Sequence, residues 1–222
     1  MSKSIDTIWE DIHSTQGWGM YPAEHVIRFV ARNYYHMDRG NVRILDFGCG
    51  QGSHTWYLAR EGFDVYAFDG SESAVRKCGQ RLEKEGLKAH LAVADAIELE
   101  YKECFFDAII DNVCIYANHL DDIRFMYQEC FRFLKPGGKL LTVCFGEELD
   151  GYKSGNETES GTYKDIKEGV LAGRGISHIF KEDEFTNIVR DAGFKNVICD
   201  WVRYMDGGNM VHQYICTAEK QG

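Results

Sequence analysis

Residues 42–71 constrain this chain more than any other stretch. An apolar run of Val42, Ile44, Leu45 and Phe47 ends in glycines at 48, 50 and 52, and a second apolar run over 64–68 ends in Asp69. A short apolar run bounded by turn residues has the character of a parallel strand buried on both faces. Ser53 is placed to cap a helix through about residue 60 that Gly62 ends, so the stretch reads as a strand–helix–strand unit. Glycines at the first strand's end let backbone N–H groups approach a ligand closely. Asp69 lies 21 positions after Gly48, near the separation at which an acid meets a ribose hydroxyl pair. The unit predicts a nucleotide-like ligand over its turn.

The glycine spacing separates two ligand classes. A dinucleotide fold uses G-x-G-x-x-G, but residue 53 is Ser53 and the third glycine is Gly52, giving G-x-G-x-G with Asp46 two residues ahead. The run Asp-Phe-Gly-Cys-Gly-Gln-Gly resembles the first motif of class I S-adenosylmethionine (SAM) dependent methyltransferases. Phe-Leu-Lys-Pro-Gly-Gly-Lys-Leu, around Lys135–Gly138, resembles a second stretch of the same family. The resemblance covers roughly residues 21–219. It implies that Asp46, Gly48, Cys49, Gly50 and Gly52 hold the methionine half of SAM. By the same resemblance Asp69, with Gly70 and Ser71, holds the ribose, Asp95 with Ala96 holds the adenine amine, and Asp111 with Asn112 sits near the transferable methyl. In many relatives a segment ahead of the first strand covers the pocket, so Trp18 and Tyr21 are candidate wall residues, with plain packing as the alternative.

Composition narrows the rest. At 222 residues and 44% hydrophobic content the chain can bury one full core, so a single domain over 1–222 is expected. Thirty-five acidic against 25 basic residues give a net charge of −10, which repels phosphate backbones and anionic membranes and favours a small solute as partner over nucleic acid or membrane. The eight cysteines form no C-x-x-C pair, and several fall in apolar runs, so they read as reduced and structural. Without a charged-then-apolar leader or 18 consecutive apolar residues, a cytoplasmic protein is expected, in which the sequon at 156–158 carries no sugar. The oligomeric state is not legible.

Along the chain, residues 1–36 are expected to form an N-terminal helical cap: a fraying polar stretch to residue 19, then a helix with Pro22 in its first turn and Val26, Ile27, Val30 and Tyr34 on its apolar face. Ser71 is an N-cap candidate for a helix that Gly86 ends, and strands are expected over 88–93, 105–113 and 139–145. Between the last two, Ile123, Met126, Cys130 and Leu134 mark a buried helical stripe. Residues 146–180 turn to Gly, Ser, Thr, Asn and charge, and are expected to be a lid or acceptor-binding insertion without a core of its own. A helix over 181–192 and two β-rich runs joined at Asp206-Gly207 complete the chain. The fold class is therefore α/β: a seven-stranded, mostly parallel sheet flanked by helices, with an antiparallel terminal hairpin, an N-terminal helical cap and a lid insertion.

The functional expectation is methyl transfer from SAM to a hydroxyl or amino group of a small molecule. A SAM-binding protein without catalysis and a nicotinamide-dependent oxidoreductase stay open as alternatives. The family's D/N-P-P-Y/F branch is absent, since residues 111–114 read Asp-Asn-Val-Cys and the only prolines are Pro22 and Pro136. No metal is expected, because Asp111 has no paired ligand close in sequence. If the acceptor is a hydroxyl, a histidine is the natural base, and His119 and His178 are the candidates, with Tyr116 beside the acceptor. His13, His36, His54, His90 and His212 are read as structural.

Overall fold

In the computed structural model, which describes residues 4–222, the chain begins with two short helices, α1 (Ile8–Thr15) and α2 (Glu24–Tyr34). The strand–helix–strand unit follows as β1 (Arg43–Phe47), α3 (Ser53–Arg60) and β2 (Asp64–Asp69). Then come α4 (Glu72–Lys84), β3 (His90–Val93), β4 (Phe106–Asn112), α5 (Leu120–Phe133) and β5 (Leu134–Phe145). After an excursion described below, α6 (Glu182–Asp191) leads into a terminal hairpin of β9 (Lys195–Asp206) and β10 (Asn209–Glu219). Gly207 and Gly208 turn the hairpin with positive φ at both, as a two-residue type I′ loop requires.

The main sheet runs β3-β2-β1-β4-β5-β10-β9. Strands one to five are parallel, with Leu45 opposite Tyr66 on one side and Ile109 on the other, whereas β10 is antiparallel to both of its neighbours. Strand order reverses between β1 and β4, so the carboxyl ends of those two strands flank the crevice where such sheets bind ligands. The alternation along β1 and β4 divides the core. Ile44, Ala108 and Ile110 pack with Val26, Phe29, Val30, Tyr57 and Leu58 beneath α2 and α3. Leu45, Phe47 and Ile109 face the opposite cluster with Met126, Tyr127, Phe133 and Phe185 of α5 and α6.

Several local expectations are corrected. In α2 the inward residue is Phe29, 5% exposed, and not Ile27, 36% exposed, because a 100° step per residue places 26, 29, 30 and 34 on one face. Pro22 precedes the N-cap, Ala23, and so stands outside the helix. The N-cap of α3 is Gly52 at φ +84, not Ser53. Residues 135–138 are absorbed into β5 as a bulge opposite β4, fixed by Lys135 Nζ on the Asp107 carboxylate at 2.7 and 2.8 Å. The polar stretch at the N-terminus contains a formed helix, α1, with Ile12 and His13 buried.

The 146–180 segment is more ordered than its composition suggests. It contains β6 (Asn156–Glu159), β7 (Thr162–Lys164) and β8 (Ser177–His178), which form a small antiparallel sheet. Leu149, Tyr152, Ile166 and Leu171 are buried and continuous with the α5–α6 core, so the segment shares the domain's core instead of lacking one. No helix among the described residues is long and apolar enough to cross a membrane.

Candidate active site

The three glycines of the β1–α3 turn have different physical reasons. All lie at positive φ, +70 at Gly48, +53 at Gly50 and +84 at Gly52. A Cβ on Gly48 would sit 2.1 Å from Cys114 Sγ, and one on Gly52 2.3 Å from Cys78 Sγ, so these two let the turn pack against the β4 end and α4. Gly50 instead faces a cavity, with His13 Cε1 3.6 Å from its Cβ position. Of the three glycines expected to offer N–H donors, Gly52 N–H donates to Cys49 O and Gly50 N–H to Asp69 Oδ2, and Cys49 N–H between them donates to Phe68 O; Gly48 N–H has no partner among the described residues. Those bonds shape the turn.

Asp69, at the end of β2, lines the same cavity and accepts Gly50 N–H at 2.8 Å and Ser71 N–H at 2.9 Å. A carboxylate has about four acceptor positions, so two remain for a pair of hydroxyls. Burial pushes Asp69 above the usual carboxylate range, opposed by these N–H donors and by His13. Ser71 caps α4 by accepting Ala74 N–H at 3.1 Å and donates its hydroxyl to Glu10 Oε2 at 2.6 Å, which ties α1 to the β2–α4 corner. Lys77 Nζ reaches the His13 and Gln16 carbonyls from the other side.

The cavity measures about 420 Å³, within the ~300–1,000 Å³ of small-molecule sites. It runs from Phe68, Asp69, Gly70, Ala94 and Ala96 at one end, past Gly48, Cys49 and Gly50, to Asn112 and an aromatic wall of Trp18, Tyr21, Tyr116, Phe145 and Tyr204. Asp111 prepares that far end from below. Fully buried, it accepts the Thr142 hydroxyl at 2.6 Å and the N–H groups of Cys114 and Ile115 at 3.0 and 3.1 Å, and burial pushes it up to about 6. The turn it holds contains Val113 at φ +57, a β-branched residue in the left-handed region, where strain is stored only if the surroundings enforce it. Asn112 Oδ1 lies 2.5 Å from His25 Nε2, so α2 sets the orientation of the one amide at the strand end. His54 lines the cavity with its pKa lowered to about 4 by burial, and burial likewise holds His13 below its ordinary value.

The expected residues divide accordingly. Gly48, Cys49, Gly50, Asp69, Gly70, Ala96, Asn112, Trp18, Tyr21 and Tyr116 all line the cavity. Asp46, Gly52, Ser71 and Asp111 stand behind its wall: Asp46 is buried and accepts the Thr55 hydroxyl at 2.6 Å, fastening α3 to β1. Asp95 is engaged by the N-terminal segment, accepting Ser4 N–H at 2.8 Å, the Ser4 hydroxyl and Ile97 N–H at 3.2 Å, so an adenine amine reaches it only by displacing Ser4. His119 and His178 lie apart from the cavity. His119 is the exposed N-cap of α5, 3.2 Å from Glu159, and His178 is fully buried with Nδ1 2.7 Å from Thr162 Oγ1 and Nε2 3.5 Å from Glu184; neither lines the cavity.

Sequence reasoning missed Trp9, His13, His54, Arg174, Tyr204 and Asp206 on the wall, and His25 behind Asn112. The Trp9/His13 spacing at i, i+4 was a signal for a helix face. Nothing local marks Arg174 or Tyr204, which long connections bring in.

Comparison with known proteins gives the same reading as the site. The family model described as "Methyltransferase domain" matches residues 44–138, from β1 through the bulge of β5. Sterol 24-C-methyltransferase of Aspergillus fumigatus is 26% identical over 197 residues, 81% of this chain and 50% of that protein. Phosphoethanolamine N-methyltransferase 1 of Arabidopsis thaliana is 30% identical over 161 residues, 71% of this chain and 30% of that protein. The chain thus spans half or less of the length of these curated relatives. A crystal structure of a SAM-dependent methyltransferase from Methanosarcina mazei superposes with a TM-score of 0.68 at 25% identity, covering 81% of this chain and 92% of that one. With the glycine turn after β1, an acid at the end of β2 and the β3-β2-β1-β4-β5-β10-β9 order of the sheet in place, residues 44–138 carry the methyltransferase domain of that model on the fold of the class I SAM-dependent methyltransferases.

Proposed function

We propose that this chain transfers the methyl group of SAM to a hydroxyl or amino group of a small molecule. The observation that supports the reading most is the continuity of one cavity from Asp69 and the glycine turn to the aromatic wall beyond Asn112, which gives donor and acceptor a shared, walled space. Bound SAM supplies an electrophilic methyl on a sulfonium. The chain's own part is to hold an acceptor lone pair in line and keep water out; such alignment is worth up to roughly 7–11 kcal/mol. Asp69 with its two open acceptor positions suits the ribose, and Trp18, Tyr21, Tyr116 and Tyr204 suit a flat or apolar acceptor body. His13 and His54, both neutral near pH 7, are the imidazoles in reach of the cavity for a hydroxyl acceptor.

Mass spectrometry of ligand released from freshly purified protein, followed by single-turnover assays of hydroxyl- and amine-bearing aromatic acceptors, tests the proposal. S-adenosylhomocysteine accumulating in step with a methylated acceptor supports it. SAM that stays bound and unconsumed across the acceptor panel favours a ligand-binding protein without catalysis.

A further inference from the structure

Among the described residues lining the cavity, Arg174 is the only lysine or arginine, and it shares the wall with three acids, Asp6, Asp69 and Asp206. It nevertheless forms no ion pair among the described residues. Asp6 lies beside Gly175, the next residue, but its Oδ1 accepts Ile8 N–H at 3.1 Å. Arg174 Nε donates to Val170 O at 2.8 Å, and its Cζ stands 5.0 Å from the centre of the Trp18 ring. These two contacts fix the plane of the guanidinium while its terminal nitrogens find no partner among the described residues.

A half-buried guanidinium has given up part of its hydration, and the charge is costly unless a counter-ion takes the place of water. Its planar fork matches carboxylate and phosphate oxygens in a bidentate pair. The position is defined from two sides. The charge of Arg174 disfavours protonation of His13, which touches the glycine turn, and favours ionisation of Tyr116, which follows β4. Arg174 shares the cavity wall with Gly50 and His13 on the side of the glycine turn and with Trp18 and Tyr116 on the aromatic side.

We infer that Arg174 is an anion-binding residue of this cavity, delivered by the 146–180 segment, whose terminal nitrogens receive a carboxylate or phosphate of a bound molecule. Two molecules can carry that group: the donor, through its amino-acid carboxylate, or an acceptor with an anionic substituent. The second possibility rests on the methyl-transfer reading; the first does not. With the group bound, Arg174 links occupancy of the cavity to the 146–180 segment and its contact with Trp18.

Calorimetry on the full chain with three probes separates the cases without requiring turnover: S-adenosylhomocysteine, 5′-methylthioadenosine, which lacks the amino-acid end, and inorganic phosphate added to protein saturated with S-adenosylhomocysteine. If the donor supplies the anion, Arg174→Gln weakens S-adenosylhomocysteine at least tenfold, leaves methylthioadenosine unchanged, and Arg174→Lys recovers part of the loss. If the acceptor supplies it, Arg174→Gln leaves both nucleosides unchanged and abolishes phosphate binding seen in the unsubstituted protein. Binding of all three probes unchanged in Arg174→Gln overturns the inference. So does a parallel loss of all three with a lowered melting temperature, which assigns Arg174 a purely structural role.

Discussion

Glu10 Oε2 accepts the Ser71 hydroxyl at 2.6 Å, and through that bond the first helix of the chain is fastened to the residue that caps α4 beside Asp69. The Ser73 N–H adds a second bond at 3.2 Å. Hydrogen bonds from Ser71 and Ser73 hold the Glu10 carboxyl at about 2, so the fastening is present at neutral pH and is lost as pH falls through that value. Glu10→Ala is expected to raise amide exchange across residues 4–19 and weaken SAM several-fold without lowering the main unfolding transition appreciably. Exchange mass spectrometry with and without SAM checks it; unchanged protection of α1 contradicts it.

Asp69 is the acid on which the ribose assignment depends. Asp69→Ala removes a charge-assisted acceptor and is expected to weaken SAM by about 2–4 kcal/mol with the fold intact. Calorimetry showing unchanged affinity rules the assignment out.

Asp46 is fully buried, and burial pushes its carboxyl up to about 7 against an ordinary 3.8. Between those values the folded chain binds more protons than the unfolded one, so this group's contribution to stability is present below pH 4, falls as pH rises toward 7 and is flat beyond. Asn at this position still accepts the Thr55 hydroxyl. Asp46→Asn is expected to flatten the pH dependence, gaining about 2–4 kcal/mol on the native protein between pH 5 and 8. Melting temperatures of both proteins across that range decide the matter; a native protein that grows more stable relative to Asp46→Asn with rising pH has the sign wrong.

His119→Ala is expected to leave methyl transfer within about twofold, since the ring meets Glu159 on the surface. His178→Ala is expected to cost about 1–3 kcal/mol of stability by removing a fully buried ring that bonds Thr162 Oγ1 and packs on Phe180, with single-turnover rates little changed. A hundredfold fall in either rate with SAM binding intact restores that histidine as a base.

Activity is expected to persist in EDTA. Loss on chelation that Mg²⁺ reverses overturns the expectation and places a metal at the end of β4.

Local chemistry carried much of this structure. The β1–α3–β2 unit, the Ser71 cap and the terminal hairpin are each set by residues a few positions apart, where strand burial, side-chain capping and paired glycines act directly. The glycine-turn end of the cavity was legible for the same reason, because one turn and one strand end build it. What escaped was set by distance. Asp46 and Asp111 look alike in sequence to a ligand-facing acid, and only the Thr55 and Thr142 hydroxyls, brought in by other elements, turn them into supports. The far wall of the cavity draws Trp18, Arg174 and Tyr204 from three separate parts of the chain, and no period or motif links them. His119 and His178 were chosen for their place near strand ends, which says nothing about which way a side chain turns.

The fastening of residues 4–16 has a kinetic meaning. Ser4 on Asp95, Glu10 on Ser71 and Lys77 on the His13 carbonyl all attach the N-terminal segment to α4 and to the ends of β2 and β3, and none of these three bonds reaches the 146–180 segment. The two covers of the cavity nevertheless touch, since Asp6 and Ile8 lie against Gly175 and the Arg174 guanidinium stands 5.0 Å from the centre of the Trp18 ring. Lifting the N-terminal segment therefore requires three hydrogen-bonded fastenings to release together and also disturbs its seam with the 146–180 segment, so opening at one end of the cavity is felt at the other.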